Sequence, residues 1–167
     1  MRRPCVLYVQ GVNSRTLLLV LLTLGAWASD PLSAARKEIK PPVGVPPDAL
    51  HFNGRWYRVY LEPVNREMAE RRCVVLGGRL ATVPDAPKWE FLKPVSKGLR
   101  LWLGASDAET EGLWKWVDGS AVTFTAWHRR QPDNGWSIQN YLCTVNNGWD
   151  DVAKKDKLVG FICEWRP

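Results

Sequence analysis

The sequence has little of what catalytic and metal centres are usually made from. Its 167 residues include two His, His51 and His128, and four Cys, Cys5, Cys73, Cys143 and Cys163. No two cysteines have the Cys-x-x-Cys spacing, so a zinc site of the common Cys/His kind is excluded. There is no Gly-x-Ser-x-Gly elbow, phosphate-binding loop or His-Glu-x-x-His helix, which removes the motif basis for several enzyme classes. His128 stands beside Arg129 and Arg130 with no evident nucleophile partner. The chain reads as a non-enzyme. No internal repeat and no heptad pattern is present. Long apolar runs are missing too: Leu17–Ala28 would rise about 18 Å as a helix, against a hydrocarbon core of about 30 Å.

What remains is a globular composition, 46% hydrophobic and 24% charged, with ten Trp. The length suits one domain. Tryptophans contribute most when buried, so most of the chain must fold. At the N-terminus Arg2, Arg3 and Arg15 precede the apolar stretch, and Ala26-Trp27-Ala28 ends it before Ser29-Asp30. That order predicts a secretory signal peptide over residues 1–28, with an uncleaved anchor as the alternative. Its removal would take three Arg and no acid, lowering the formal charge from +6 to +3. So small an excess gives no argument for nucleic acid. An exported chain meets oxidising conditions, and its three remaining cysteines predict one disulfide and one spare thiol.

Residues 29–49 carry Pro31, Pro41, Pro42, Pro46 and Pro47 and read as an extended arm or linker. From Leu50 to Pro167 the texture is that of a folded domain. Arg55–Tyr60 alternates as a strand should. Asn65 is a candidate N-cap for a helix to about Leu76, with Met68, Ala69, Arg72, Cys73 and Leu76 on one face and Gly77-Gly78 as its stop. A second helix is expected over residues 85–93, with Pro87 in its first turn and Trp89 and Leu92 inward. After Pro94 come four apolar runs, at 101–104, 113–117, 141–145 and 159–163. Two helices followed by strands predict an α+β domain. The polar stretch from Ala126 to Asn140 has no periodicity, and a loop of that length is where function is to be sought.

Several segments together resemble the C-type lectin-like domain over residues 50–167. They are Cys73 with Leu76-Gly77-Gly78-Arg79-Leu80-Ala81, Leu101-Trp102-Leu103-Gly104, Glu111–Gly119 and Phe161-Ile162-Cys163-Glu164. The resemblance implies two helices with antiparallel β-sheets and a long calcium-binding loop region. It also implies a Cys73–Cys163 disulfide, closing a loop of about 90 residues worth roughly 4–5 kcal/mol on the chain-entropy model. Tyr141 and Lys154 stand where the family's second pair of cysteines belongs, leaving Cys143 as a spare, buried thiol.

In this family calcium and sugar share a site, and the matching positions are Gln131-Pro132-Asp133, Gln139 and Trp149-Asp150-Asp151. Calcium takes six to eight oxygens from carboxylates and amide carbonyls, which Gln131, Asp133, Gln139, Asp150 and Asp151 offer. The family usually has Glu at 139 and Asn at 150. The two changes offset, and three carboxylates remain. Each of two neighbouring sugar hydroxyls needs one acceptor and one donor beside the ion. Gln131 with Asp133, and Gln139 with Asp150, supply two such pairs. Gln-Pro-Asp resembles the galactose-type triplet, whereas the exchanged second pair leaves a mannose-type preference open. Trp136 either stacks on a sugar face or packs the loop on the core. An auxiliary calcium set would be Asp107, Glu111, Asn134, Gln139 and Asn140, with only the first two charged. The expectation is a secreted Ca²⁺-dependent lectin that binds a carbohydrate or glycoconjugate, with oligomers giving avidity. A calcium-independent protein-binding module is the alternative. The bland alternative, a turn at 131–135 and a core Trp149 followed by a solvated loop, also stands.

Overall fold

The strand read at Arg55–Tyr60 (β2) forms, and it pairs antiparallel with Leu50–Phe52 (β1) across Asn53-Gly54. Both turn residues have positive φ, 47° and 71°, the backbone that Asn-Gly accepts at least cost. This geometry comes from a computed structural model that describes residues 39–166. The expected signal peptide and residues 29–38 of the arm lie outside the described residues. Residues 39–49 make two turns, Val45 N–H to Pro42 C=O and Ala49 N–H to Pro46 C=O. Ala49 is buried and Val45 packs against the core, so the folded unit takes in the chain from Ile39.

Helix α1, Arg66–Val75, starts at Asn65, whose side chain accepts the Met68 N–H at 2.9 Å. Its buried face is Arg66, Ala69 and Cys73, rotated from the predicted one. Met68 and Leu76 are about two-fifths exposed, and Arg72 reaches out to Glu62. The disulfide explains the roll: Cys73 bonds Cys163 with Cα atoms 5.5 Å apart, which pins that side of the helix to the sheet. Helix α2, Ala86–Ser96, is capped by Asp85, which accepts the Lys88 N–H at 2.9 Å. It runs three residues beyond the predicted end and carries Pro94 inside it. Proline forfeits one helix bond, but Trp89, Leu92 and Ser96 are buried beneath the helix and hold the last turn down. Lys97 and Gly98, both at positive φ, end it.

The remaining strands are Arg79–Leu80 (β3), Leu101–Ser106 (β4), Lys115–Trp116 (β5), Tyr141–Val145 (β6), Gly148–Val152 (β7) and Gly160–Trp165 (β8). They form one sheet in the order β1-β2-β8-β4-β6-β7, with β3 added on β8 and β5 on β4. Every pairing is antiparallel, as expected, except β4 with β8, which is parallel. A parallel pair needs a long crossover, and residues 107–159 supply it. The run at 113–117 shortens to two residues, with Leu113 exposed beyond the positive-φ Gly112. One sheet face, with Trp102, Cys143, Phe161 and Cys163, packs on Ala69 and Cys73 of α1. The other, with Leu101, Leu103, Leu142 and Ile162, packs on Trp89 and Leu92 of α2. Among the described residues, no helix is long and apolar enough to cross a membrane.

Glu164 of β8 is wholly buried among cations. Arg79 and Lys88 each reach it at 2.8 Å, Arg55 also pairs with it, and the Thr82 N–H donates at 3.2 Å. Burial alone would raise its pKa, but Lys88 and Arg79 outweigh that and hold the carboxyl at about 2.

Candidate functional site

Trp149 anchors the site. It is fully buried, and Trp89, Trp116, Phe124 and Trp127 all meet it edge-on with ring centroids 5.6–6.0 Å away. Edge-to-face contacts of this kind add to the burial itself. The loop that precedes the Gln-Pro-Asp triplet is laced to the same residue: the Trp149 N–H donates to Ala126 C=O at 2.9 Å, and the His128 N–H to Trp149 C=O at 2.8 Å. Gly148 permits this approach. A Cβ there would lie 2.9 Å from the His128 nitrogen and 3.0 Å from the Ala126 oxygen, both backbone. A turn from His128 to Gln131 then delivers the triplet, whose Gln131–Pro132 bond is cis.

The residues after the triplet are tied across to β7. Asp151 is fully buried, and its two carboxylate oxygens accept the Asp133 and Asn134 N–H groups at 3.1 and 2.6 Å. Asn134 accepts the Gln139 N–H at 3.3 Å, and the Gln139 carbonyl oxygen accepts the Gly135 N–H. Asn134, Trp136 and Ser137 hold positive φ on this stretch. Buried Gln131 Oε1 has no hydrogen-bond partner among the described residues. Neighbouring Asp150 turns one oxygen to Arg100, at 2.7 Å. Burial raises the Asp150 pKa; Arg100 opposes the rise, while Asp151 and Asp133 add to it.

Of the five expected ligands, Asp133, Gln139 and Asp151 are joined by hydrogen bonds through the backbone at 133–135 and 139, Asp150 is turned to Arg100, and the Gln131 side-chain oxygen has no partner among the described residues. Trp149-Asp150-Asp151 forms part of β7, not a solvated loop. Asp151 and Asp133 lie close enough to Asp150 to add to the rise in its pKa. They do not close into a carboxylate cluster, for among the described residues no three His, Cys, Asp or Glu side chains gather as a metal site would require. The donor set fits calcium only with its amides included. The buried, unpartnered Gln131 oxygen is the observation that favours that fit, since an acceptor left bare in the interior is costly.

Trp136 is 94% exposed, so it does not pack the loop on the core. In the auxiliary set the Asn140 amide nitrogen lies 3.4 Å from both Asp107 and Glu111, and the Gly112 N–H caps Asp107 at 2.9 Å. Cys143 is a free, buried thiol opposite Asp150 in the ladder, and burial pushes its pKa up to about 12. Arg100 is the site residue that sequence reasoning missed. It lies 50 positions from Asp150, and only the surplus carboxylate at 150 hinted at a cation nearby.

The sequence profile of the lectin C-type domain matches residues 62–165. A perlucin-like protein of Mytilus galloprovincialis is 29% identical over 138 residues, covering 78% of this chain and 88% of its own. An alpha-N-acetylgalactosamine-specific lectin of Patiria pectinifera is 32% identical over 142 residues, 75% of this chain and 82% of its own. Among solved structures, the carbohydrate-recognition domain of the mouse scavenger receptor C-type lectin superposes with a TM-score of 0.67 at 30% identity, covering 73% of this chain and 96% of that one. With the paired cysteines, the two helices and the loop laced to β7, these matches show that the chain belongs to the C-type lectin domain family, whose members are non-enzymatic carbohydrate-binding proteins.

Proposed function

We propose that the chain is an exported lectin that binds galactose-like sugars in a calcium-dependent way through neighbouring ring hydroxyls. The single observation that carries this reading is the buried Gln131 oxygen without a partner, at the mouth of a loop that Asp151 ties to β7. Gln131, Asp133, Gln139, Asp150 and Asp151 would hold the ion. A bound calcium supplies open coordination positions for two sugar oxygens. The chain's own side chains do the rest. Asp133 and Asp150 accept hydroxyl protons, and the Gln131 and Gln139 amide nitrogens donate to hydroxyl lone pairs. The Gly135 N–H takes up the Gln139 carbonyl oxygen, which turns its amide nitrogen the other way. Exposed Trp136 offers an indole face to the apolar side of a ring. The galactose-like preference is supported by the triplet and by the N-acetylgalactosamine-specific relative.

The test is calorimetry of the full chain with calcium, then with galactose and mannose, beside an EDTA control. Calcium heat followed by calcium-dependent galactose binding is expected. Tighter mannose binding would reverse the sugar preference and leave the lectin reading intact. Absence of calcium heat at millimolar ion would overturn it in favour of a calcium-independent module that binds a protein ligand.

A further inference from the structure

The ion pairs of this protein leave two arginines over. Among the ten in residues 39–166, eight meet a carboxylate at 3.1 Å or closer. Arg129 and Arg130, both exposed, have no carboxylate partner among the described residues. They are neighbours, and they directly precede Gln131. The turn they form is held at both ends: the Gln131 N–H donates to His128 C=O at 2.9 Å, and the His128 N–H to Trp149 C=O at 2.8 Å. Arg130 sits in this turn at φ 70°. Glycine or asparagine takes that left-handed backbone more readily than a long side chain does. A guanidinium is thus kept here against the preference of the backbone, as happens most often at functional sites.

The charge balance of the adjoining site gives the pair its meaning. The expected ligand set carries three carboxylates, Asp133, Asp150 and Asp151, and Arg100 already meets Asp150 at 2.7 Å. A divalent ion there brings the set to zero net charge, and Arg129 and Arg130 come on top of it. Their Cα atoms lie within about 8 Å of the Gln131 Cα, because only one or two peptide units intervene. That is no more than the screening length at physiological salt, about 8 Å. The further carboxylates tied to this loop, Asp107 and Glu111, are at its far end, on the Asn140 amide. A neutral sugar gains nothing from two cations beside its site. A sugar with an oxyanion does, and the planar guanidinium fork matches sulfate or carboxylate geometry.

We propose that the ligand of this loop is an acidic galactose-like sugar, whose sulfate or carboxylate group is held by Arg129 and Arg130. The proposal rests on the calcium-dependent reading of the loop and adds to it the class of sugar. Arg129 and Arg130 are then specificity-determining residues, which select among galactose-like sugars by charge.

The experiment is calorimetry of the full chain in saturating calcium with methyl galactoside, its 6-sulfate and methyl galacturonide, beside an EDTA control. Both acidic sugars keep the ring hydroxyls of galactose free, and differ from the neutral one by an anion on the exocyclic carbon. In about 0.1 M sodium chloride each is expected to bind about fivefold tighter than the galactoside, the upper range of an exposed ion pair. The advantage is expected to fade at about 1 M salt, where the screening length is about 3 Å. Arg129→Gln combined with Arg130→Gly removes both charges, and the glycine suits the left-handed backbone. In that variant the ratio of acidic to neutral affinity is expected to fall to about one. Equal binding of all three sugars by the parent protein would overturn the anion subsite and leave the lectin reading standing. So would an acidic preference that survives in the double variant or is indifferent to salt. Acidic sugars bound equally well in EDTA, or no sugar bound with calcium present, would overturn the calcium-dependent reading and the proposal with it.

Discussion

A carboxylate at position 150 is one charge more than an amide there, and Arg100 neutralises it at 2.7 Å. On the proposed reading, calcium and Arg100 would compete for the same side chain. Removing the guanidinium by Arg100→Met is expected to tighten calcium binding about two- to fivefold, the range of a partly exposed ion pair. Calorimetry checks this, and a weaker affinity in the variant would show Arg100 to be a support of the site. Asp151 has a different part, because its carboxylate also holds the Asp133 and Asn134 amides. Asp151→Ala is expected to abolish calcium heat and to cost about 1–3 kcal/mol of stability, as two part-buried backbone donors lose their acceptor. Calcium affinity that survived this change would remove Asp151 from the ligand set.

At the scale of elements, the contact between the Ala126–His128 segment and β7 depends on the absence of a side chain at Gly148. Gly148→Ala places a methyl against backbone atoms that cannot rotate away. We expect a loss of about 1–3 kcal/mol, as for other overpacked sites, and weaker calcium binding in the same variant. A variant with unchanged Tm and affinity would mean that the loop holds its place without this contact. The Cys73–Cys163 bond joins α1 to β8, and its reduction is expected to lower stability by up to about 5 kcal/mol; calorimetric scans with and without reductant read the difference directly.

Elements differed in how legible they were. Asn65 and Asp85 announced both helix starts, and Arg55–Tyr60 and Tyr141–Val145 showed their strands in full. The roll of α1 was hidden, because a buried Arg66 defeats any apolar-face reading. Strand β3 was hidden as well, being two residues long and held by β8 alone. The candidate ligand positions come from the family motif alone. Arg100 could not, since nothing local links it to a strand 50 residues further on.

For the molecule as a whole, Glu164 joins pieces far apart in the chain: β2 through Arg55, β3 through Arg79, α2 through Lys88. Its carboxyl titrates at about 2 in the fold and near the ordinary carboxylate value when unfolded. A folded pKa below the unfolded one stabilises at higher pH. The contribution, on the order of 2–3 kcal/mol, is complete above about pH 5 and is lost as pH falls through the mid-4s toward 2. Glu164→Gln should flatten that acid limb of a Tm-against-pH curve. It should also lower stability at neutral pH by about 3–5 kcal/mol, since buried Lys88 and part-buried Arg55 lose their carboxylate partner while Arg79 and Arg166 keep Asp118. An acid limb unchanged in the variant would assign the loss to other carboxylates.

The indole of Trp136 stands in solvent while Trp56, Trp89, Trp102, Trp116, Trp149 and Trp165 are nearly or fully enclosed. The protein thus carries its own optical probe. Iodide should quench the red edge of its emission first, from a ring five residues beyond Gln131. A sugar that covers Trp136 should protect that fraction of the light and leave the enclosed indoles as they were.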